Sequence, residues 1–331
     1  MAGLFVQKHA EAVRAQGVDV RVLSAYSWRE LWREWRDFRR SGWIPDVVQL
    51  NVIQKQGLLA IWLKRRYHIP YIIVEHWSGY LPENGQFMRM PAFKRRLYAR
   101  IAREASVLLG VSNRLIEAMR ACGVTNSDTR KINNVVDDFF FEASGVKSQE
   151  SGRKTILHVS CFDERAKNVK GLLRAAKRLS EKRQDWQLVL VGDGIDYKET
   201  RAYAQKLQIP EQLLRWTGEL TPREVSNEFD NADIFVLPSR YENAPVVISE
   251  SLAKGVPVLS TRAGGIPEMV NDSNGLLIEP NDDAALVQAL QTMLDHYQEY
   301  DAKVIRQAGK PYSFAKVGRQ LKDIYEQVQA R

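Results

Sequence analysis

The chain has 331 residues, 44% apolar and 27% charged, ordinary values for a globular protein of two domains. No run approaches the roughly 18 apolar residues of a membrane span, the opening MAGLFVQKHAEAVRAQG turns polar too early to suggest a signal peptide, and Cys122 and Cys161 are too few for a disulfide framework. The net charge of +8 lies wholly in residues 1–150, which carry 23 Lys and Arg against 15 Asp and Glu. A reduced, cytoplasmic protein with an acidic partner is the expectation, that partner being nucleic acid, anionic lipid or a phosphorylated substrate.

Short β-branched runs alternate with helical patterns, the mark of βα units and parallel sheets. Strands are predicted at 18–23, 47–52, 71–74 and 107–111, with helices at 28–40, 57–66, 93–104 and 113–121. The polar stretch EASGVKSQESGRK reads as a linker over 142–154. The alternation then restarts, with strands at 155–159, 187–191, 234–237, 256–260 and 276–278. Helices are predicted at 169–183, 197–207, 222–229, 245–254 and 282–297, and a last one from Phe314. This is the pattern of two Rossmann-like, doubly wound α/β domains, 1–141 and 155–310, facing a cleft, with 311–331 a C-terminal helix crossing back to the first. A doubly wound domain opens with a strand, a glycine turn and a helix. Here Gly3 stands directly before the helix, so the first strand of the N-terminal domain is expected to be missing.

The strongest local signal is RYENAPVVISESLAKGVPVLST, residues 240–261. A strand ends, Glu242 sits in the loop, and a helix begins near Pro245 with Asn243 as its candidate cap. Free N–H groups at such a helix start bind phosphate. Glu250, eight residues after Glu242, is placed to accept from a ribose while Glu242 meets a sugar hydroxyl. Two solvated surface glutamates are the plainer reading of the spacing.

The segment resembles the E-x7-E signature of family 4 glycosyltransferases, and the likeness runs on through AGGIPEMV (Gly264, Gly265, Glu268), which is similar to the family's Gly-Gly loop. The resemblance implies the two-domain GT-B fold and a retaining, metal-independent transfer from a nucleotide sugar to a glycan or lipid-linked acceptor in envelope polysaccharide synthesis. It implies front-face displacement, with the leaving phosphate taking the acceptor proton. It also makes Asn243, Ala244, Pro245 and Val246 donor-binding, beside Glu250. In HVSCFDERAKNVKGLLRAAKRL (158–179), Lys167 matches the family lysine that neutralises the pyrophosphate. The family's arginine position is Cys161 here, a departure that leaves Arg165 to supply the second charge. VGDG, with Gly192, Asp193 and Gly194, is similar to the family's loop against the nucleotide. His76, in EHWSGYLPE after a predicted strand, resembles the histidine near the transferred sugar's hydroxymethyl. Gly3 is similar to the family's first glycine loop on the acceptor side, and Asn134 with Asp137 in INNVVDDFF reads as structural.

Absences sharpen the expectation. No two aspartates stand two positions apart, so the usual carboxylate clamp for a divalent metal is missing, and no cofactor or metal is expected. No Walker loop occurs, and no nucleic-acid partner is expected. WRELWREWRDFRR places Trp28, Leu31, Trp32, Trp35 and Phe38 on one stripe between Arg29, Arg33, Arg36 and Arg40, which suits either a domain core or peripheral contact with an anionic membrane. A non-transferring enzyme on the same scaffold, such as a UDP-sugar 2-epimerase, and a silent sugar-nucleotide-binding protein stay open as alternatives.

Overall fold

The computed structural model describes residues 2–24, 27–142 and 152–331. The chain divides into two units, one of Met1–Val135 with Phe314–Arg331, the other Val136–Ser313. Of the predicted linker, residues 143–151 lie outside the described residues.

In the first unit β1 (Val48–Asn51), β2 (Tyr71–Glu75), β3 (Val107–Gly110) and β4 (Thr129–Lys131) form a parallel sheet in that order. Alternate residues of an extended chain face opposite ways. Ile72 and Val74 of β2 and Val107 and Leu109 of β3 therefore share one face, packed on Ala12 and Val13 of the helix Ala2–Arg14 and on the terminal helix Phe314–Gln329. That last helix presents Val317, Leu321, Ile324 and Val328, a stripe at helical spacing.

Two expectations change here, and one open alternative narrows. Residues 18–23 form no strand; among the described residues no strand lies beside them, and Arg14 instead donates to the Val20 carbonyl at 2.7 and 3.1 Å. An extended segment without a ladder partner is not a strand. Gly3 lies inside the helix Ala2–Arg14 rather than in a turn, because the helical backbone already begins at Ala2. The Trp/Arg segment forms the helix Trp28–Arg40, and part of its stripe faces the core while Trp32 stays 38% exposed. Leu31 and Trp35 are buried on Leu59, Leu63 and Ile69, while Arg29, Arg33, Arg36 and Arg40 stay exposed.

In the second unit β5 (Lys154–Val159), β6 (Trp186–Val191), β7 (Leu214–Gly218), β8 (Ile234–Leu237), β9 (Val258–Thr261) and β10 (Gly275–Ile278) form a parallel sheet ordered β10-β9-β8-β5-β6-β7. Both faces are covered. Ile156, Leu188, Leu190, Ile234 and Val236 pack on the helix Val169–Ser180, whereas Leu157, Val159, Val189, Val191, Phe235 and Leu237 face the helix Val246–Lys254. Strands covered on both sides read as continuous apolar runs, which is why they were predictable.

Candidate active site

The chain lays strands outward in both directions from the β5–β8 pair, so the loops after β5 and β8 part at their carboxyl ends. Ligands bind at such a switch point in open α/β sheets. The β5 loop carries a one-turn helix, Glu164–Lys167, capped by Asp163, whose Oδ1 accepts from the Arg165 and Ala166 amides at 3.0 and 3.3 Å. Asn168 then turns the chain through the left-handed region (φ 53) into Val169–Ser180. The β8 loop carries Ser239 and Glu242.

The two loops meet through side chains. Lys167 Nζ donates to Glu242 Oε1, and Ser239 Oγ donates to the same oxygen at 2.9 Å. Only 17% of the Lys167 side chain and 12% of Glu242 are exposed. Burial works against the ammonium, but the Glu242 carboxylate outweighs it and holds Lys167 above the ordinary lysine range. Neither residue type nor periodicity announced this pairing.

Backbone contacts fix the loops further. A Cβ on Gly194 would stand 1.8 Å from the Cys161 carbonyl oxygen, and one on Gly192 would stand 1.9 Å from that of Ser160. Gly264, at φ +53, lies so close that a Cβ would come within 1.5 Å of the Glu242 carbonyl oxygen. Beneath them, buried His158 donates from Nδ1 to the Val236 carbonyl at 2.9 Å, which leaves Nε2 to accept from Ser160 Oγ at 2.8 Å. Burial, against the Val236 hydrogen bond, pushes its pKa down to about 4, so the ring is neutral.

The other predicted residues are distributed unevenly. Asn243 does not cap the helix Val246–Lys254. Pro245 occupies the cap position without a side-chain hydrogen bond, because the chain enters the helix two residues later than the Asn243 cap requires. Ala244 precedes that entry, Val246 begins the helix, and Glu250 lies within it, half-buried. Asp193 is exposed and accepts from the Gly194 amide at 2.7 Å. Arg165 is exposed on the short helix.

His76 and Gly3 belong to the first unit. His76 follows β2, its ring nitrogens shielded from water, with the His9 ring 5.4 Å away. Burial first, then the neighbouring His9, lowers its pKa to about 3, while burial takes His9 to about 4. Glu75, fully buried before it, accepts from the amides of Ile53 at 3.0 Å and of His76 and Trp77 at 2.9 Å. Burial pushes its carboxyl up to about 7 against those hydrogen bonds. Sequence reasoning missed His9 and Glu75. The signal for His9 was its position on the stripe of Ala12 and Val13.

The family described as glycosyl transferases group 1 matches residues 140–310, and a glycosyl transferase 4-like domain matches residues 3–134. A teichuronic acid biosynthesis glycosyltransferase by name, TuaC of Bacillus subtilis, is 28% identical over 296 residues, 87% of this chain and 67% of that protein. The chain spans about half the length, 51% and 53%, of two further curated relatives. Sucrose-phosphate synthase from Thermosynechococcus elongatus superposes with a TM-score of 0.81 at 18% identity, over 100% of this chain and 94% of that one. Anabaena HepE, solved with UDP and glucose, gives 0.77 at 18% identity over 98% and 95%. At these identities the likeness to solved structures speaks for the fold.

Proposed function

The chain belongs to the glycosyl transferases group 1 family, an enzyme class of glycosyl transfer, and from that premise we propose that it moves a hexosyl group from UDP or GDP to a glycan or lipid-linked acceptor, with retention and without a metal. The observation that carries this reading is the Lys167–Glu242 pair at the switch point of the second sheet. A nucleotide sugar offers a diphosphate to the ammonium and hydroxyls to the carboxylate, so each partner exchanges the other for substrate. The bond from C1 to the diphosphate oxygen breaks, the acceptor oxygen joins C1 on the same face, and the acceptor proton passes to the leaving phosphate. Lys167 stabilises the charge growing on that phosphate, which is often the largest catalytic contribution.

The remaining roles are those the family resemblance implies. The start of the helix Val246–Lys254 presents amides to phosphate, with Asn243 to Pro245 leading into it. Glu250 accepts from the ribose, and the Gly192–Gly194 turn lines the nucleotide. Arg165 supplies the cation absent at Cys161. His76 is neutral in its buried setting and keeps the donor-side role that the resemblance implies. The name of TuaC supports a role in envelope glycans. The exposed arginines of the helix Trp28–Arg40 support peripheral contact with an anionic membrane by charge.

The test is nucleotide release from UDP-glucose and GDP-mannose with candidate acceptors, followed by the anomeric configuration of the product. Retained configuration with Lys167-dependent release is the expected result. An inverted product overturns the mechanism, an isomerised sugar nucleotide favours an epimerase, and binding without release favours a silent binder.

A further inference from the structure

We infer that Arg240 is a positioning residue that sets Lys167 in place; the inference rests on the reading of Lys167 as the cation for the donor diphosphate. Arg240 sits in the β8 loop two residues before Glu242, and its side chain reaches across to the β5 loop rather than into solvent. Its backbone amide donates to the Ala166 carbonyl at 2.7 Å, one residue before Lys167. The guanidinium donates from Nη1 to the Glu164 carbonyl and from Nη2 to Glu164 Oε1 at 3.2 Å and Asn168 Oδ1 at 2.6 Å. Nε donates to Asn281 Oδ1 at 2.7 Å.

These contacts bracket Lys167 on both sides. Glu164 opens the one-turn helix that ends in Lys167, and Asn168 is the left-handed residue directly after it. A single turn is too short to hold its own shape, since forming one costs more than its few hydrogen bonds return. Arg240 gives that turn an external frame, and because it belongs to the loop of Glu242, the frame fixes the ammonium relative to the carboxylate. The planar fork suits this task. A lysine could match the charge but not four acceptors in set directions.

The test is a double-mutant cycle on turnover and donor KM, with thermal midpoints as the folding control. Arg240→Ala should lower kcat about 10- to 50-fold with the midpoint within a few degrees of wild type, an effect on the order of a misplaced stabilising group. Arg240→Lys should recover little of that loss. On a Lys167→Ala background, Arg240→Ala should cost less than about twofold more, because its effect passes through the lysine. Asn281→Gly offers a milder probe. Asn281 has φ 65, which glycine adopts without strain, and the change removes one guanidinium acceptor. A two- to fivefold fall that likewise vanishes without Lys167 is expected, so the cycle stays readable if Arg240→Ala folds poorly. A full, additive loss on the Lys167→Ala background, or full rescue by Arg240→Lys, overturns the positioning role. Wild-type turnover in Lys167→Ala overturns the donor-site reading instead, a separate outcome.

Discussion

Lys167 in the second unit and His76 in the first are basic side chains in loops that follow parallel strands, both largely shielded from water, yet they end in opposite protonation states. Lys167 keeps its proton because Glu242 lies in hydrogen-bond contact. His76 loses its proton chiefly to burial, with the neighbouring His9 ring adding to the shift, while the adjacent Glu75 carboxyl accepts from backbone amides rather than from the ring. Burial is common to both, so the partner decides. A paired cation remains available to meet a phosphate, whereas a neutral imidazole offers one donor and one acceptor to a sugar.

The sharpest way to break this contrast is to remove the paired cation. Lys167→Ala should lower turnover by about 10²–10³-fold, the loss typical of one electrostatic stabiliser, with folding preserved. Steady-state rates on purified protein decide it. More than half the wild-type rate would mean that the pair is structural and the contrast has no catalytic content.

The first unit makes its own prediction through pH. The folded pKa of Glu75, about 7, lies above its ordinary 4.5. Its contribution is therefore whole below pH 4.5 and lost as pH rises to 7, about 3 kcal/mol in all. His9 and His76, lowered from 6.5 to about 4 and about 3, act the other way, contributing above pH 6.5 and losing that contribution as pH falls. Chemical denaturation of wild type and Glu75→Gln at pH 5 and pH 7.5 separates them. Stability should shift by about 2 kcal/mol in favour of the variant at the higher pH. An unchanged difference would show that Glu75 is not protonated at pH 5 in the fold, and that hydrogen bonds outweigh desolvation there.

What could be read in the sequence follows the same physics. The central strands were legible because two covered faces give apolar runs such as WQLVLV in β6. The two missed strands, Thr129–Lys131 and Leu214–Gly218, are both sheet edges and partly exposed, so their residues are mixed and give no run. Residues 18–23 have a strand's composition, but a strand also needs a neighbour, which composition does not report. At the site, residue types and motif spacing marked Lys167 and Glu242 separately. Their contact joins positions 75 apart, and the Arg240 frame spans a similar distance, so neither leaves a local pattern.

A smaller effect should come from backbone approach in the second unit. Gly264→Ala puts a Cβ against the Glu242 carbonyl oxygen at 1.5 Å and at φ +53. The Glu242 loop must shift, with a loss of about 2 kcal/mol in stability and on the order of tenfold in turnover. If thermal melts and rates match wild type, the loop is more adaptable than its contacts suggest, and the fixed pair loses its structural basis.

The smallest effect expected is none at all, on exhaustive chelation. Mg²⁺ and Mn²⁺ at a diphosphate need carboxylate oxygens on the protein side. The sequence offers no aspartates two positions apart, and among the described residues no three His, Cys, Asp or Glu side chains stand together as a metal site. The carboxylate in contact with Lys167, that of Glu242, is already engaged by Lys167 and Ser239. A fixed ammonium with helix-start amides can balance a leaving diphosphate where no ion is recruited. Turnover measured in excess EDTA should therefore equal turnover without it. A rate that collapses in EDTA and returns with Mn²⁺ would mean that the paired lysine is insufficient, and that Glu242 leaves it to hold an ion when the donor binds.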